Sequence, residues 1–439
     1  MKQKFLDEIR KRVLVYDGSK GVMLQLQGLT GEETSESWNL THPERVQEVY
    51  RLYRAAGSDA LQTNTFPGNR HSLGKYGLGD RTYEINQAGV RLAREIAGDD
   101  QFVIASVGPT GALLAPAGDL TFDQVYEAFA DQMRAIEAAG ADAVNIETFT
   151  DLAELRIAIL AARENTRLPV IASVSFDGDN GRKTLSGNPP EVCVIVAQAL
   201  GAGMAGANCS SGPDLLVEII AKMKEVAAVP LVVKPNAGLP EVIDGQVVFK
   251  ETPERFVSFA GRFLSDGVRL IGGCCGTTPD FIAALRRQLS ELTIPPYSER
   301  NYSALASAFQ YLPWDGGQRY PVGRLTVDDE IRKALSEGDD YPLFDQVAEL
   351  AADGAELMLL DLEQLPELPD WSGFGANWGL MARTPVVVRA ESPQRLERFL
   401  RYYPGVAGVI GGSEPGLREI LAKYGGVAVE PRDVESEQL

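Results

Sequence analysis

The sequence predicts a (β/α)8 TIM barrel followed by a smaller α/β domain. Up to about residue 295, eight short β-branched runs alternate with longer amphipathic segments, the pattern of repeated βα units. The residues with unusual chemistry fall at the carboxyl ends of those runs, where barrel enzymes build their sites. Paired prolines, Pro295-Pro296, then stop the pattern and favour extended chain.

The eight runs are residues 13–16, 59–63, 102–107, 143–147, 170–175, 205–208, 231–234 and 268–271. Residues 43–57, 122–140, 151–165, 190–203, 213–228, 253–266 and 279–292 carry helix entry or exit signals, several with proline near the start. Parallel strands need crossover helices, and closing the sheet on itself removes both edges. An open doubly wound sheet is the rival arrangement. The strand ends carry Asp17, Asn64, Gly108-Pro109, Glu147, Ser175, Cys209, Pro235-Asn236 and Cys274-Cys275.

This gives two domains, 1–295 and 296–439. In the second, residues 323–325, 356–360, 385–389, 406–410 and 427–430 read as strands, with 342–353, 393–402 and 415–424 as helices between them. Its length falls short of the roughly 250 residues typical of a full barrel. The acidic tail 430–439 is expected to fray.

With 439 residues and 44% apolar composition the chain can bury a large core. A formal charge of −19 opposes phosphate backbones and anionic lipid heads, so nucleic acid and membrane surfaces are poor partners. The N-terminus lacks an apolar signal core, and no run approaches a membrane span. Four cysteines in so long a chain do not make a disulfide framework, so a reducing cytoplasm is expected.

Three of those cysteines close short apolar runs at glycine-rich exits: Cys209 after Gly206-Ala207-Asn208, and Cys274-Cys275 between Gly272-Gly273 and Gly276. Three thiolates leave the fourth tetrahedral position of Zn²⁺ for water or substrate, the layout of a catalytic site. Neighbouring strand residues point to opposite faces, so both Cys274 and Cys275 reach one metal only if the backbone leaves β geometry, which glycines permit. Packing and a redox pair are the competing readings; the spacing is not Cys-x-x-Cys, and a bridge between sequence neighbours is strained. Cys193, inside an apolar helical stretch, reads as core. Of the two histidines, His42 reads as a helix-entry residue and His71 as surface, so a histidine-rich metal site is not expected. Trp38 and Phe66 fit a pocket wall and a packed core equally well.

The ordered motifs Tyr16-Asp17-Gly18, Trp38-Asn39-Leu40-Thr41-His42-Pro43-Glu44, Thr63-Asn64-Thr65-Phe66, Ser106-Val107-Gly108-Pro109, Ile146-Glu147-Thr148, Leu185-Ser186-Gly187, Gly206-Ala207-Asn208-Cys209, Pro235-Asn236-Ala237-Gly238-Leu239-Pro240 and 272–279 resemble the zinc-dependent homocysteine S-methyltransferases. Within that family the likeness is to the homocysteine module of cobalamin-dependent methionine synthase, over roughly residues 10 to 292. The resemblance implies that Cys209, Cys274 and Cys275 are the zinc ligands and that Asp17 and Glu147 help hold the amino group of homocysteine. It further implies that Gly18, Asn208 and Asn236 belong to the substrate pocket. The implied reaction is methyl transfer to the homocysteine thiol, forming methionine, with the methyl from a corrinoid (methylcobalamin) on a separate protein.

Gln62 and Lys234 depart from the methionine synthase pattern, which commonly carries an acid at the first position. The second domain only faintly resembles a truncated pterin-binding barrel: Glu349-Leu350-Ala351-Ala352-Asp353-Gly354-Ala355-Glu356 and Leu359-Leu360-Asp361 fit an early helix and strand, while Arg389 stands at an expected acidic strand end. No Asp-x-His-x-x-Gly cobalamin signature occurs. Alternative readings are an S-methylmethionine- or S-adenosylmethionine-dependent homocysteine methyltransferase, a methyltransferase for another thiol, and a non-catalytic subunit that docks a corrinoid protein. Betaine as donor is disfavoured, since no aromatic cage for a quaternary ammonium is evident.

Overall fold

In the computed structural model, which describes residues 2–243, 246–316 and 319–434, eight parallel strands form one sheet. They are β1 (Leu14–Val15), β2 (Ala60–Gln62), β3 (Phe102–Val107), β4 (Ala143–Phe149), β5 (Val170–Val174), β6 (Met204–Asn208), β7 (Leu231–Lys234) and β8 (Val268–Ile271). Each strand from β2 to β7 pairs with its successor, and β1 pairs with β8. A parallel bridge between Tyr16 and Ala60 brings β1 back to β2, so the sheet is a nearly closed barrel rather than an open doubly wound sheet.

Before residue 295, five described helices start with proline in the first turn, at Pro43, Pro190, Pro213, Pro253 and Pro279, where a missing N–H costs nothing. The helix expected over 253–266 is two shorter ones, Pro253–Ser258 and Ala260–Ser265. Three elements lack a marked sequence signal. The crossover helix Thr82–Ala97 begins at Arg81 with no side-chain cap. Helix Lys2–Lys11 precedes β1, and an antiparallel pair, Pro240–Ile243 with Gln246–Phe249, is inserted after β7.

Side chains on a strand alternate between faces, and that alternation builds the interior in layers. Toward the amino ends, Leu14, Ala60, Ile104, Ala143, Ile171, Met204, Val232 and Leu270 form one buried apolar cluster with Phe5 and Ile9 of helix Lys2–Lys11. Two residues further along the same strands stand Tyr16, Gln62, Ser106, Asn145, Ser173 and Lys234, all buried. Glu147 and Asn208 follow after another two. The interior thus turns from apolar to polar along the strand direction.

The chain divides into two compact units. The first comprises the residues up to Ala112, Asp123–Ser186 and Ala202–Arg300; the second comprises Leu113–Phe122, Gly187–Gly201 and the chain from Asn301. In the second, a two-stranded antiparallel ribbon, β9 (Ala304–Ala306) and β10 (Tyr311–Pro313), accompanies a five-stranded parallel sheet. That sheet is β11 (Val322–Arg324), β12 (Leu357–Asp361), β13 (Val386–Arg389), β14 (Gly408–Ile410) and β15 (Val427–Val429), paired in sequence order. Leu357, Leu359, Val387, Ile410 and Val429 of the sheet pack with Leu305 and Trp314.

Helix Trp371–Met381 of this unit contains three glycines, which weaken it intrinsically. Tertiary packing supports it: Trp378, 1% exposed, meets Phe344, Phe374, Phe399 and Tyr403 edge-on. Trp378→Ala is expected to destabilise the second unit by about 3–5 kcal/mol, read as a lowered denaturation midpoint.

Candidate metal centre and substrate pocket

Cys209 ends the β6 exit, and Cys274-Cys275 the β8 exit. Both turns leave β geometry. Cys209 and Ser210 take left-handed backbone, φ 64° and 58°, uncommon for residues with a side chain. At the β8 exit two glycines serve different needs. Gly276 takes φ 78°, while a Cβ on Gly273 would stand 2.2 Å from Thr277 Oγ1. The exits of β6, β7 and β8 are tied by main-chain bonds: Cys209 N donates to Lys234 O (3.1 Å), Cys274 N to Pro235 O (2.8 Å) and Ala237 N to Cys275 O (2.9 Å).

The result brings the three sulfurs within 4.8 Å of one another, with Cys209 Sγ and Cys275 Sγ 3.8 Å apart. That spacing is far beyond the roughly 2.05 Å of a disulfide, and all four cysteines are free. Among the described residues these are the one group of three or more Cys, His, Asp or Glu placed to hold a metal ion. Cys193 lies elsewhere, 1% exposed in helix Pro190–Ala199.

Without a cation the cluster resists ionisation. The Cys209 thiol is pushed up to about 11: its hydrogen bond with Cys274 pulls it down, but the bond with Cys275 and burial outweigh that. Cys274 reaches about 12, raised by its bond with Cys209 and by burial against the pull of Cys275 and Lys234. Cys275 also reaches about 12, where the bond with Cys274 and burial overcome the lowering by Cys209. Three soft donors that repel one another once charged fit a thiophilic cation.

Neighbouring side chains fix the sulfurs. Asn208 donates from Nδ2 to Cys274 Sγ (3.7 Å) and to Thr148 Oγ1 (2.7 Å). Its Oδ1 accepts from Thr148 N (3.0 Å) and Ser173 Oγ (2.7 Å). Asn236 Oδ1 accepts from Cys275 N at 3.0 Å. Both asparagines thus contact the cysteine loops. Gly18 sits where any side chain would collide, since a Cβ would lie 2.7 Å from Thr277 O and 2.9 Å from Tyr53 Oη.

Glu147 and Asp17 lie in a buried ionic layer that includes two lysines. Glu147 Oε1 accepts from Gln62 Nε2 and Ser106 Oγ; Oε2 accepts from Asn145 Nδ2 (2.9 Å) and Lys234 Nζ (2.7 Å). The Lys234 ammonium also donates to Gln62 Oε1 and lies 4.7 Å from the centre of the Tyr16 ring. Burial pulls this ammonium down, but Glu147, Cys274 and Asp17 together hold it above the ordinary lysine value, so it is charged at neutral pH. Asp17 Oδ2 accepts from Lys20 Nζ and from Gln62 N (2.8 Å). Burial dominates that second pair, raising Asp17 despite Lys20 and lowering Lys20 despite Asp17. Asp17 Oδ1 is buried and has no hydrogen-bond partner.

A family model described as Homocysteine S-methyltransferase matches residues 14–289, which include all eight barrel strands and every residue of this site. The chain belongs to the homocysteine S-methyltransferase family. Two methionine synthases align with 91% of this chain: that of Mycobacterium tuberculosis at 27% identity over 424 residues, and that of Mycobacterium leprae at 31% over 433. The chain spans about a third of their length, 35% in each case. The metallated homocysteine methyltransferase MmuM of Escherichia coli shares the fold, with a TM-score of 0.55 at 22% identity, over 65% of this chain and 99% of that one.

Sequence reasoning placed the cysteines, Asp17, Glu147 and the asparagines at strand ends but did not assign the layer that links them. Lys20 and Asn145 lie outside the recognised motifs, Tyr16 and Ser106 open two of them without a role of their own, and Gln62 and Lys234 stand out only as departures. Their signal is position: each barrel-strand member lies two residues beyond an inward apolar one.

In this member of the family, Lys234 and Glu147 are both almost fully buried. Glu147→Ala strands the lysine charge and is expected to cost about 3–5 kcal/mol of stability. Lys234→Met in the same chain should recover part of that loss, measured as a positive coupling in a urea-denaturation double-mutant cycle.

Proposed function

We propose that the chain methylates the thiol of homocysteine, forming methionine, with Zn²⁺ held by Cys209, Cys274 and Cys275. The observation that carries this reading is the convergence of three sulfurs within 4.8 Å beside a buried carboxylate layer, in a chain of this family. A bound zinc would supply one thing, a thiolate form of the acceptor sulfur at neutral pH.

The protein's own groups do the rest. Asn208 and Asn236 hold the Cys274 sulfur and the Cys275 backbone in place, so the donor set is pre-arranged. The pocket lined by Asp17 and Glu147 takes the amino-acid end of homocysteine, whose ammonium pairs with a carboxylate there. Lys234 adds a fixed positive charge that favours thiolate at Cys274. Such a site needs reduced sulfur, in keeping with a reducing cytoplasm. Among the described residues no helix is long and apolar enough to cross a membrane.

For the methyl donor we propose a corrinoid carried outside these 439 residues. Support comes from the two methionine synthases, whose alignment extends through 91% of the chain and so into the second unit. Zinc-loaded protein is expected to form methionine from homocysteine and methylcobalamin. Formation with S-methylmethionine or S-adenosylmethionine alone, and none with methylcobalamin, would overturn the corrinoid assignment. Stripping zinc from folded protein should reduce the rate by at least about a thousandfold, and normal turnover by such protein would overturn the metal assignment.

Zinc uptake has a pH signature of defined sign. Thiols at about 11 to 12 are protonated at neutral pH and must ionise to bind, so affinity rises with pH. Uptake should release about three protons, and competition against a chromophoric chelator between about pH 6 and 8 should show affinity rising steeply. Cys275→Ser is expected to lose stoichiometric zinc while the barrel stays folded by circular dichroism.

A further inference from the structure

The layer beside the sulfurs contains a cation already seated where a ligand's ammonium would go. Lys234 Nζ contacts Glu147 Oε2 at 2.7 Å, donates to Gln62 Oε1 and lies 4.7 Å from the Tyr16 ring centre: carboxylate, amide oxygen and aromatic face. This is the set of contacts by which a protein recognises an ammonium. A carboxylate has about four acceptor positions, and Glu147 uses them on Gln62, Ser106, Asn145 and Lys234. None is left for a substrate.

Asp17 differs. Its Oδ2 is taken by Lys20 and Gln62 N, but Oδ1, in a fully buried side chain, accepts nothing. An unmet buried carboxylate oxygen is costly, and a charged donor would satisfy it. Resting on the reading that homocysteine is the acceptor, we infer that Lys234 is a specificity-determining residue that fills the ammonium seat at Glu147, so that the acceptor's amino group is read through Asp17 Oδ1 alone. Glu147 is then a positioning residue that holds Lys234, Gln62 and Ser106 in register.

The test compares calorimetric dissociation constants of the zinc-loaded full chain for homocysteine and for 4-sulfanylbutanoate, the same thiol acid without the amino group. The wild type is expected to prefer homocysteine about tenfold, the worth of one charge-assisted hydrogen bond. Asp17→Asn should bring that ratio to about one, and Lys234→Met should raise it at least about tenfold by vacating the seat at Glu147. Because the readout is a ratio, a general loss of affinity does not move it. Should Lys234→Met fail to fold, Lys234→Gln carries the same expectation, and Asp17→Asn tests the claim independently. A wild-type preference retained in Asp17→Asn, or unchanged by removing the Lys234 charge, overturns the inference while leaving the homocysteine reading intact. Failure of the wild type to bind either thiol overturns that reading and the inference with it.

Discussion

The alternation of side chains along eight parallel strands is the constraint from which the rest of this molecule follows. It sends Leu14, Ala60, Ile104, Ala143, Ile171, Met204, Val232 and Leu270 to one apolar layer. Because the period is two, the same geometry must deliver Tyr16, Gln62, Ser106, Asn145, Ser173 and Lys234 to the layer above. A closed sheet has no outer edge to which polar groups can escape. They satisfy one another instead, and the result is a buried ionic network directly below the strand exits that carry the sulfurs.

Much of this was legible from residue types and spacing. The eight runs, the proline-initiated helices and the cysteine-bearing exits all follow from local rules, because each depends on a few consecutive residues. Helix Thr82–Ala97 escaped because its start has no cap. Helix Trp371–Met381 escaped because its glycines argue against it and only distant aromatics hold it. Glycine's role at the β8 exit was half visible: conformational freedom applies at Gly276, whereas Gly273 is required by the proximity of Thr277.

The pairing of Lys234 with Glu147 was beyond local reading. The residues are 87 positions apart and meet only because β4 and β7 face each other across a closed interior. A lysine ending an apolar run reads as a strand terminus pointing to water. Here it points inward and joins Glu147, Gln62 and the Tyr16 ring. The same applies to Asp17 at the β1 exit, whose buried ion pair with Lys20 depends on the fold around both.

The closure of the barrel also bears on the order in which the molecule can be assembled. Strands β2 to β8 pair with sequence neighbours, but β1 waits for β8, with Leu14 registered against Leu270. That contact carries the largest loop-closure entropy in the sheet. Cys274 and Cys275 come immediately after it, so two of the three sulfurs join Cys209 only when the ring of strands shuts. A nascent chain emerging from the ribosome therefore presents Cys209 well before the adjacent Cys274 and Cys275, and the three-sulfur cluster is complete only once β8 has joined the sheet.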